Sequence, residues 1–187
     1  MTTTRTGPHL SHLVLNVNDL DASHHFYSEV LGFSQCAQLK EGNRIGLMRF
    51  YRGDDSTHHD LALVQTKEEQ VDPGTWSMIR TRVGINHIAI AYPSREAWLA
   101  RIAHIQASGV PFIERGDHGM THSIYIQDPD GNGIEVLYDL PDDVWSQDVN
   151  AAINYYVHLP REGDAALADS TDYFQFEDTA ETIHYGR

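Results

Sequence analysis

Two stretches of this sequence repeat the same order of motifs. His12–Val17 and His87–Tyr92 both begin with histidine and both have the composition of a strand. The two histidines are 75 residues apart, and the glycines that follow the next apolar segments, Gly32 and Gly109, are 77 apart. The chain is therefore expected to contain two copies of one supersecondary unit, which restricts its fold more than any other feature of the sequence.

Each copy predicts one strand, one helix and three further strands. In the first copy, Asp19 or Asp21 is placed to cap a helix whose apolar residues recur at helical spacing. These residues are Ala22, Phe26, Val30 and Leu31, and strands are expected at 33–39, 44–51 and 59–65. In the second copy, Ser94 is placed to cap a helix, and strands are expected near 110–114, 122–127 and 133–138. The apolar side of that helix consists of Trp98, Leu99, Ile102 and Ile105.

This arrangement predicts an α+β fold with two tandem βαβββ modules. We expect one domain over 1–187, with modules at 9–66 and 84–140 that form an open barrel around a metal cleft. Residues 66–83 read as the link between the modules. An apolar stripe then predicts a helix in the segment 141–187, and its members are Trp145, Val149, Ala152, Ile153 and Tyr156. The acidic tail from residue 160 is expected either to be disordered or to wrap a neighbouring subunit of a homo-oligomer.

Charge and cysteine content narrow the class of protein. The formal net charge is −14, and a chain this acidic lacks the basic patches that nucleic acid or an anionic membrane requires. Cys36 is the only cysteine, so no intrachain disulfide is possible. With no apolar N-terminal run and no membrane-spanning stretch, a cytoplasmic protein is expected.

Three residues occupy positions that suit metal ligands. His12 and His87 begin the first strand of each copy, and Glu135 lies between apolar neighbours in the last strand of the second. Two imidazoles and one carboxylate form a facial triad, the ligand set of non-haem Fe(II) oxygenases, which leaves positions open for a diol and O2. The alternative is that the two histidines correspond only because the units are duplicated.

The local sequences around these positions resemble a known family. The motifs His59-Asp-Leu-Ala-Leu63 and His118-Gly-Met-Thr-His122, together with the stretch 124–135 that carries Tyr125 ten residues before Glu135, are similar to those of the vicinal-oxygen-chelate superfamily. The resemblance covers about residues 9–140 and fits type I extradiol ring-cleavage dioxygenases best.

That resemblance implies a function and a role for each residue. His12, His87 and Glu135 would bind Fe(II), with Mn(II) as an alternative, and the partners would be a small aromatic diol and O2. His59 would act as the acid–base group, although His58 beside it is easily confused with it. Tyr125 and His118 would contact the diol oxygens, and His122 is a weaker candidate.

The sequence also departs from the family pattern. The known catechol enzymes have four modules, so this chain resembles a smaller one-domain branch. Glyoxalase-type isomerases and fosfomycin-type transferases use a similar triad on the same scaffold, and metal-free binding modules of this superfamily lose it. These alternatives stay open at the level of sequence.

Overall fold

The structure is a computed structural model, and it describes residues 9–39, 42, 44–66, 74–78 and 84–176. The chain divides into two compact units, Met1–Asp72 and Pro73–Arg187. None of the described helices is long and apolar enough to cross a membrane.

Unit 1 forms a four-stranded sheet with one helical segment. Strand β1 spans Leu13–Val17 and helix α1 spans Leu20–His24, which continues as a π-helical turn over His25–Val30. Strands β2 (Ser34–Gln38), β3 (Met48–Arg52) and β4 (Leu61–Gln65) follow. Asp19 caps the helix by accepting hydrogen bonds from the backbone N–H groups of Asp21 and Ala22. The strand order is β1-β4-β3-β2, with β1 parallel to β4.

Unit 2 repeats this topology and adds one short strand. Strand β5 spans His87–Ala91 and helix α2 spans Arg95–Ala107, with Ser94 as its N-cap. Strands β6 (Glu114–Asp117), β7 (Thr121–Gln127) and β8 (Gly133–Asp139) follow, and β9 (Val157–His158) pairs with β6. The strand order is β5-β8-β7-β6-β9, again with the first strand parallel to the fourth.

The predicted duplication is therefore confirmed, because the two units have the same topology. Both units run strand, helix and three strands, and both order these strands first, fourth, third, second. The α+β class is confirmed as well. The described strands form two separate sheets, so they do not close into one continuous barrel.

Each sheet has two unlike faces. In unit 2, helix α2 packs on what we call the back face, where Trp98, Ile124 and Val136 are fully buried. The opposite side, which we call the front face, carries Tyr125 and Glu135, because successive side chains on a strand alternate between faces. The candidate chemistry of unit 2 lies on this front face.

Two strand predictions were shifted by several residues. The strand expected at 110–114 instead begins at Glu114, because Pro111 has no backbone N–H and cannot donate to the ladder. The strand expected at 44–51 begins at Met48 and follows Gly46, whose φ of 100° is unsuited to a strand.

The prediction of a single apolar-striped helix after Pro141 was wrong. Two short helices, α3 (Asp142–Trp145) and α4 (Val149–Ile153), stand in its place. Asp148 separates them, because its side chain accepts a hydrogen bond from the N–H of Ala151 and so starts a new helix. Val149 is 43% exposed and Ile153 is 66% exposed, so the stripe does not dock as a whole.

The acidic segment after residue 160 packs on its own unit as far as it is described. Arg115 donates hydrogen bonds to the carbonyl groups of Pro160, Ala165 and Ala168, and the side chain of Asp169 is fully buried beside Arg95. Over 160–176 the tail is therefore neither disordered nor extended towards a partner. Residues 177–187 lie outside the described residues.

Candidate functional site

One line of residues crosses the front face of unit 2. Glu135 on β8 lies opposite Ala89 on β5 and opposite Tyr125 on β7, and Tyr125 in turn lies opposite Glu114 on β6. Because residues in register share a face, Tyr125 and the two glutamates project to the same side of the sheet. His87, two residues before Ala89, belongs to this side as well.

His87 and Glu135 form the central pair of this face. His87 Nε2 lies 3.2 Å from Glu135 Oε2. The other ring nitrogen, Nδ1, is 2.8 Å from Asn86 Oδ1, and the Asn86 amide nitrogen donates to the carbonyl of Met78. Since the Asn86 oxygen is an acceptor, Nδ1 carries a proton, and the other ring nitrogen, Nε2, faces the carboxylate.

This pair fits a divalent metal ion. An imidazole nitrogen and a carboxylate oxygen face each other at 3.2 Å, and a proton or a metal cation between them would satisfy both. Ligands bonded at right angles to one metal at about 2.1 Å lie about 3 Å apart, so the observed separation suits two neighbouring ligand positions. Asn86 orients the imidazole from behind, as partners of metal-binding histidines commonly do.

Tyr125 links this pair to His118. Its hydroxyl donates to Glu135 Oε1 at 2.8 Å and lies 2.9 Å from His118 Nε2, which is therefore the donor to the phenol oxygen. Burial and the charge of Glu135 raise the pKa of Tyr125, so the phenol keeps its proton. Burial also lowers the pKa of His118, against the pull of nearby carboxylates. The result is a directed chain from a neutral His118 through Tyr125 to Glu135.

Trp76 supports Tyr125 from one side. The two rings stack with centroids 5.5 Å apart and planes 9° from parallel. Trp76 Nε1 donates to the carbonyl of Asn86, and the ring passes so close to Gly133 that a Cβ there would lie 2.1 Å from Nε1. Sequence reasoning missed Trp76 and Asn86. Both precede β5, and the glycine inside a strand at position 133 was the one local signal of a close approach.

Unit 1 holds a cluster of three histidines. His12 is exposed and lies immediately before β1, and its ring centroid is 4.4 Å from that of His59 and 6.2 Å from that of His58. The Nδ1 atoms of His58 and His59 are 2.7 Å apart. Burial lowers the pKa of His59, and the nearby charges of His12 and His58 lower it further, which favours a neutral ring.

His59 stands in a different setting from the one expected. It precedes β4 by two residues and does not lie on that strand, and it contacts His12 directly. The acid–base candidate and one ligand candidate are therefore neighbours. Asp60 does not hold His59, because its carboxylate accepts hydrogen bonds from the N–H of Gly53 and the hydroxyl of Thr57.

His122 does not belong to the front face. It lies on the back face in a buried charged network, with Nδ1 2.7 Å from Asp169 Oδ1 and Nε2 3.5 Å from Asp117 Oδ1. Burial alone would lower the pKa of His122, but the carboxylates of Asp117 and Asp169 outweigh it and raise the pKa to about 9. The position of His122 in this buried network, away from the front face, indicates a structural role.

The described residues contain no complete metal site. No group of three or more His, Cys, Asp or Glu side chains within the described ranges is arranged to hold a metal ion. The ligand pair of His87 and Glu135 lies within unit 2, whereas His12 belongs to unit 1. His12 as the third ligand stays a prediction of the sequence.

Comparison with known proteins agrees with this fold. Residues 9–136 match the profile of the Glyoxalase/Bleomycin resistance protein/Dioxygenase superfamily. The chain belongs to this superfamily.

Two curated relatives carry dioxygenase names. Catechol-2,3-dioxygenase of Bacillus subtilis (strain 168) is 30% identical over 148 residues, which cover 79% of this chain and 47% of the relative. Biphenyl-2,3-diol 1,2-dioxygenase 3 of Rhodococcus globerulus is 33% identical over 134 residues, which cover 71% of this chain and 64% of the relative. The chain thus spans about half to two thirds of the length of these relatives.

A solved structure supports the fold. A glyoxalase/dioxygenase from Nostoc punctiforme superposes with a TM-score of 0.56 at 21% identity, covering 75% of this chain and 100% of the other. At that level of identity the likeness concerns the fold alone.

Proposed function

We propose that this chain is an extradiol dioxygenase that opens catechol-type rings with O2 at a non-haem Fe(II) centre. The observation that carries the proposal is the set of contacts made by the two carboxylate oxygens of Glu135. The Tyr125 hydroxyl donates a hydrogen bond to one of these oxygens, and the other lies 3.2 Å from His87 Nε2. A carboxylate and an imidazole held in this way are two of the three ligands of a facial triad.

The metal would be held by His87 and Glu135, with His12 as the third ligand that the sequence predicts. When bound, Fe(II) supplies the one-electron chemistry that allows O2 to react with an aromatic diol. Mn(II) prefers the same kinds of ligand and is the alternative metal.

His118 and Tyr125 are proposed to orient the diol. Both are neutral hydrogen-bonding groups beside the ligand pair, and His118 Nε2 lies 4.0 Å from Glu135 Oε1. A diol oxygen that arrives there meets a proton donor and an acceptor already fixed in place, which lowers the cost of orienting the ring. Trp76 shields one face of Tyr125 from water.

His59 is proposed to accept and return the diol proton. Its pKa is lowered by burial and by its histidine neighbours, so the ring is available as a base near neutral pH. The names of the two curated relatives, one for catechol and one for biphenyl-2,3-diol, support a diol substrate. A cytoplasmic location and a homo-oligomer stay predictions.

A direct assay tests the proposal. The protein is loaded anaerobically with Fe(II) or Mn(II) and mixed in air with catechol, and both O2 uptake and the absorbance of a ring-opened product are followed. We expect one O2 consumed per diol in the wild type and none in Glu135→Gln.

The same protein should be offered a hemithioacetal and a phosphonate epoxide. Turnover of either substrate with no O2 uptake on any catechol would replace the dioxygenase by another metal-dependent reaction of the superfamily. Binding of diols without any turnover or metal would indicate a binding module.

A further inference from the structure

A second carboxylate lies on the front face of unit 2, outside the proposed metal pair. Glu114 on β6 is directly opposite Tyr125 on β7, which is opposite Glu135 on β8. Neighbouring strands are about 4.8 Å apart, so Glu114 lies about 10 Å across the sheet from Glu135. A distance of about 10 Å is long enough for one aromatic ring with a short substituent. A ring placed at the metal ligands would therefore extend past Tyr125 and bring its substituent to Glu114.

Tyr156 is hydrogen-bonded to the carboxylate of Glu114. Its hydroxyl donates to Glu114 Oε1 at 2.6 Å, and its ring centroid is 4.7 Å from that of His118. A Cβ at Gly116 would lie 2.4 Å from the Tyr156 ring, so only glycine at that position lets the ring lie flat against β6. Tyr156 and Glu114 thus form a wall on the front face, and this wall lies directly beside His118 and Tyr125.

Among the described residues, no Lys or Arg side chain forms an ion pair with Glu114. Within the described ranges, the ion pair of Glu114 is to His158 Nδ1 at 3.3 Å, and that imidazole is 78% exposed. Arg115, the next residue along β6, points to the back face and is buried there with Asp169. Besides burial, the hydrogen bond to Glu114 and the negative charge of Glu114 raise the pKa of Tyr156, which contacts His118.

We propose that Glu114, with Tyr156 held against it, selects the ring substituent, so that the site accepts aromatic diols with a neutral or cationic substituent and rejects those with a carboxylate. This inference rests on the proposed function, because it names the substrate class of the same site. An anionic substituent would meet the carboxylate of Glu114, and like charges in a partly buried site repel each other strongly. A neutral substituent would pack on the edge of Tyr156 without that cost.

The test compares ring substrates of similar size and different charge. Catechol, 4-methylcatechol and 3,4-dihydroxybenzoate are assayed with the full-length Fe(II)-loaded protein for kcat/KM in air, and for Kd by calorimetry without O2. The variants are Glu114→Gln, Tyr156→Phe and, as a matched control, Glu162→Gln, which removes an exposed carboxylate of the tail.

We expect the wild type and Glu162→Gln to prefer the two neutral diols. Glu114→Gln should improve kcat/KM and Kd for 3,4-dihydroxybenzoate relative to 4-methylcatechol by about tenfold, because it removes one charge and keeps the shape. Tyr156→Phe keeps the carboxylate and should keep the preference.

Several outcomes would overturn the inference. Unchanged selectivity in Glu114→Gln would show that its charge does not act on the substituent, although the dioxygenase itself would still stand. An equal loss of preference in Tyr156→Phe would assign selection to the hydroxyl. Charge-dependent binding of diols without O2 uptake would keep the inference and remove the proposed reaction, and failure to bind any diol would remove both.

Discussion

Glu135 shows how single residues prepare the candidate site. Its side chain is almost buried, and a buried carboxylate is costly unless it is paired or hydrogen-bonded. The Tyr125 hydroxyl donates to one oxygen, and the other lies 3.2 Å from His87 Nε2. The local arrangement is incomplete without a cation or a proton, and this is the physical reason to expect a metal there.

Tyr125→Phe tests the link between Glu135 and His118. The ring should still stack on Trp76, but Glu135 loses its donor and His118 loses its acceptor. We expect metal affinity to fall by about 10- to 100-fold, the usual effect of removing a partner that orients a ligand, and kcat to fall as well. Metal titration and steady-state kinetics measure the two effects.

Tyr51→Phe is the matched control, because it removes a buried hydroxyl that bonds His24 and none of the candidate ligands. Unchanged metal affinity and kcat in Tyr125→Phe would leave Tyr125 with a packing role alone.

His59→Gln tests the acid–base assignment while keeping a polar side chain of similar reach beside His12. We expect kcat to fall by about 10²- to 10⁴-fold, the usual range for a positioned acid–base group. Metal should be retained better than in Glu135→Gln. Because the pKa of His59 is lowered, its base form is present at neutral pH, so kcat in the wild type should decline as the pH falls and His59 takes up a proton.

His58→Gln is the control, since His58 is exposed and farther from His12. A larger loss of kcat in this variant than in His59→Gln would exchange the two roles. Loss of metal from His59→Gln would instead make His59 a ligand.

At the scale of elements, the segment after α4 connects the two faces of the second sheet. Tyr156 contacts the front face, β9 pairs with the edge of β6, and Asp169 is buried on the back face. Asp169 accepts hydrogen bonds from Arg95 and Tyr138 and pairs with His122. The pair of Tyr156 and Glu114 is thus anchored by a charged network on the opposite side of the same strands.

His122 makes this anchor dependent on pH. Its folded-state pKa is about 9, above the 6.5 of an ordinary histidine, so folding favours the protonated ring. The stabilisation is complete below about pH 6.5 and is lost as the pH rises through about 9. We expect the free energy of unfolding of the wild type, measured with urea, to decline over that interval.

His122→Gln should lower the free energy of unfolding by about 3 kcal/mol at pH 6, because Asp169 and Asp117 each lose one charged partner in a largely buried network. The difference from the wild type should shrink by pH 9. His158→Gln, which changes a histidine that is 78% exposed, is the control. A difference that does not vary with pH would show that His122 is neutral in the folded protein.

At the level of the whole molecule, the two copies of the module have the same strand order but different side chains at equivalent positions. Val14 pairs with Ala62 in unit 1 where Ala89 pairs with Glu135 in unit 2. The first copy therefore has alanine where the second has its carboxylate, and it carries the histidine cluster instead. The two copies share their strand order, but the chemistry differs because their side chains differ.

Metal binding should stabilise the whole folded chain. A ligand at 100 times its Kd adds about 2.7 kcal/mol to the free energy of unfolding if only the folded state binds it. We expect Fe(II) or Mn(II) to raise Tm at a stoichiometry of one per chain, and a chelator to reverse the rise. Glu135→Gln should abolish the shift, whereas Glu162→Gln should keep it. An equal shift in Glu135→Gln would place the metal elsewhere.

The sequence by itself determined the local features of the structure, which depend only on residues close to one another in the chain. The order of strands and helices, the cap at Ser94 and the glycines after each helix depend on a few neighbouring positions and were predicted correctly, and Asp19 was one of two cap candidates. Gly32 and Gly109 indeed have φ of 85° and 77°. The sequence also proposed His87 and Glu135 as ligands, and the structure brings them to 3.2 Å from each other, while their role as ligands stays a prediction.

Only the tertiary structure decided which distant side chains meet. The register of β7 on β8 brings the Tyr125 hydroxyl to Glu135, and the return of the chain along β6 brings Tyr156 to Glu114 and Asp169 to His122. Such contacts join residues that are tens of positions apart, and no local periodicity specifies the partner. The helix expected after Pro141 failed for a related reason, since one capping carboxylate at Asp148 and the packing around it outweighed the apolar spacing.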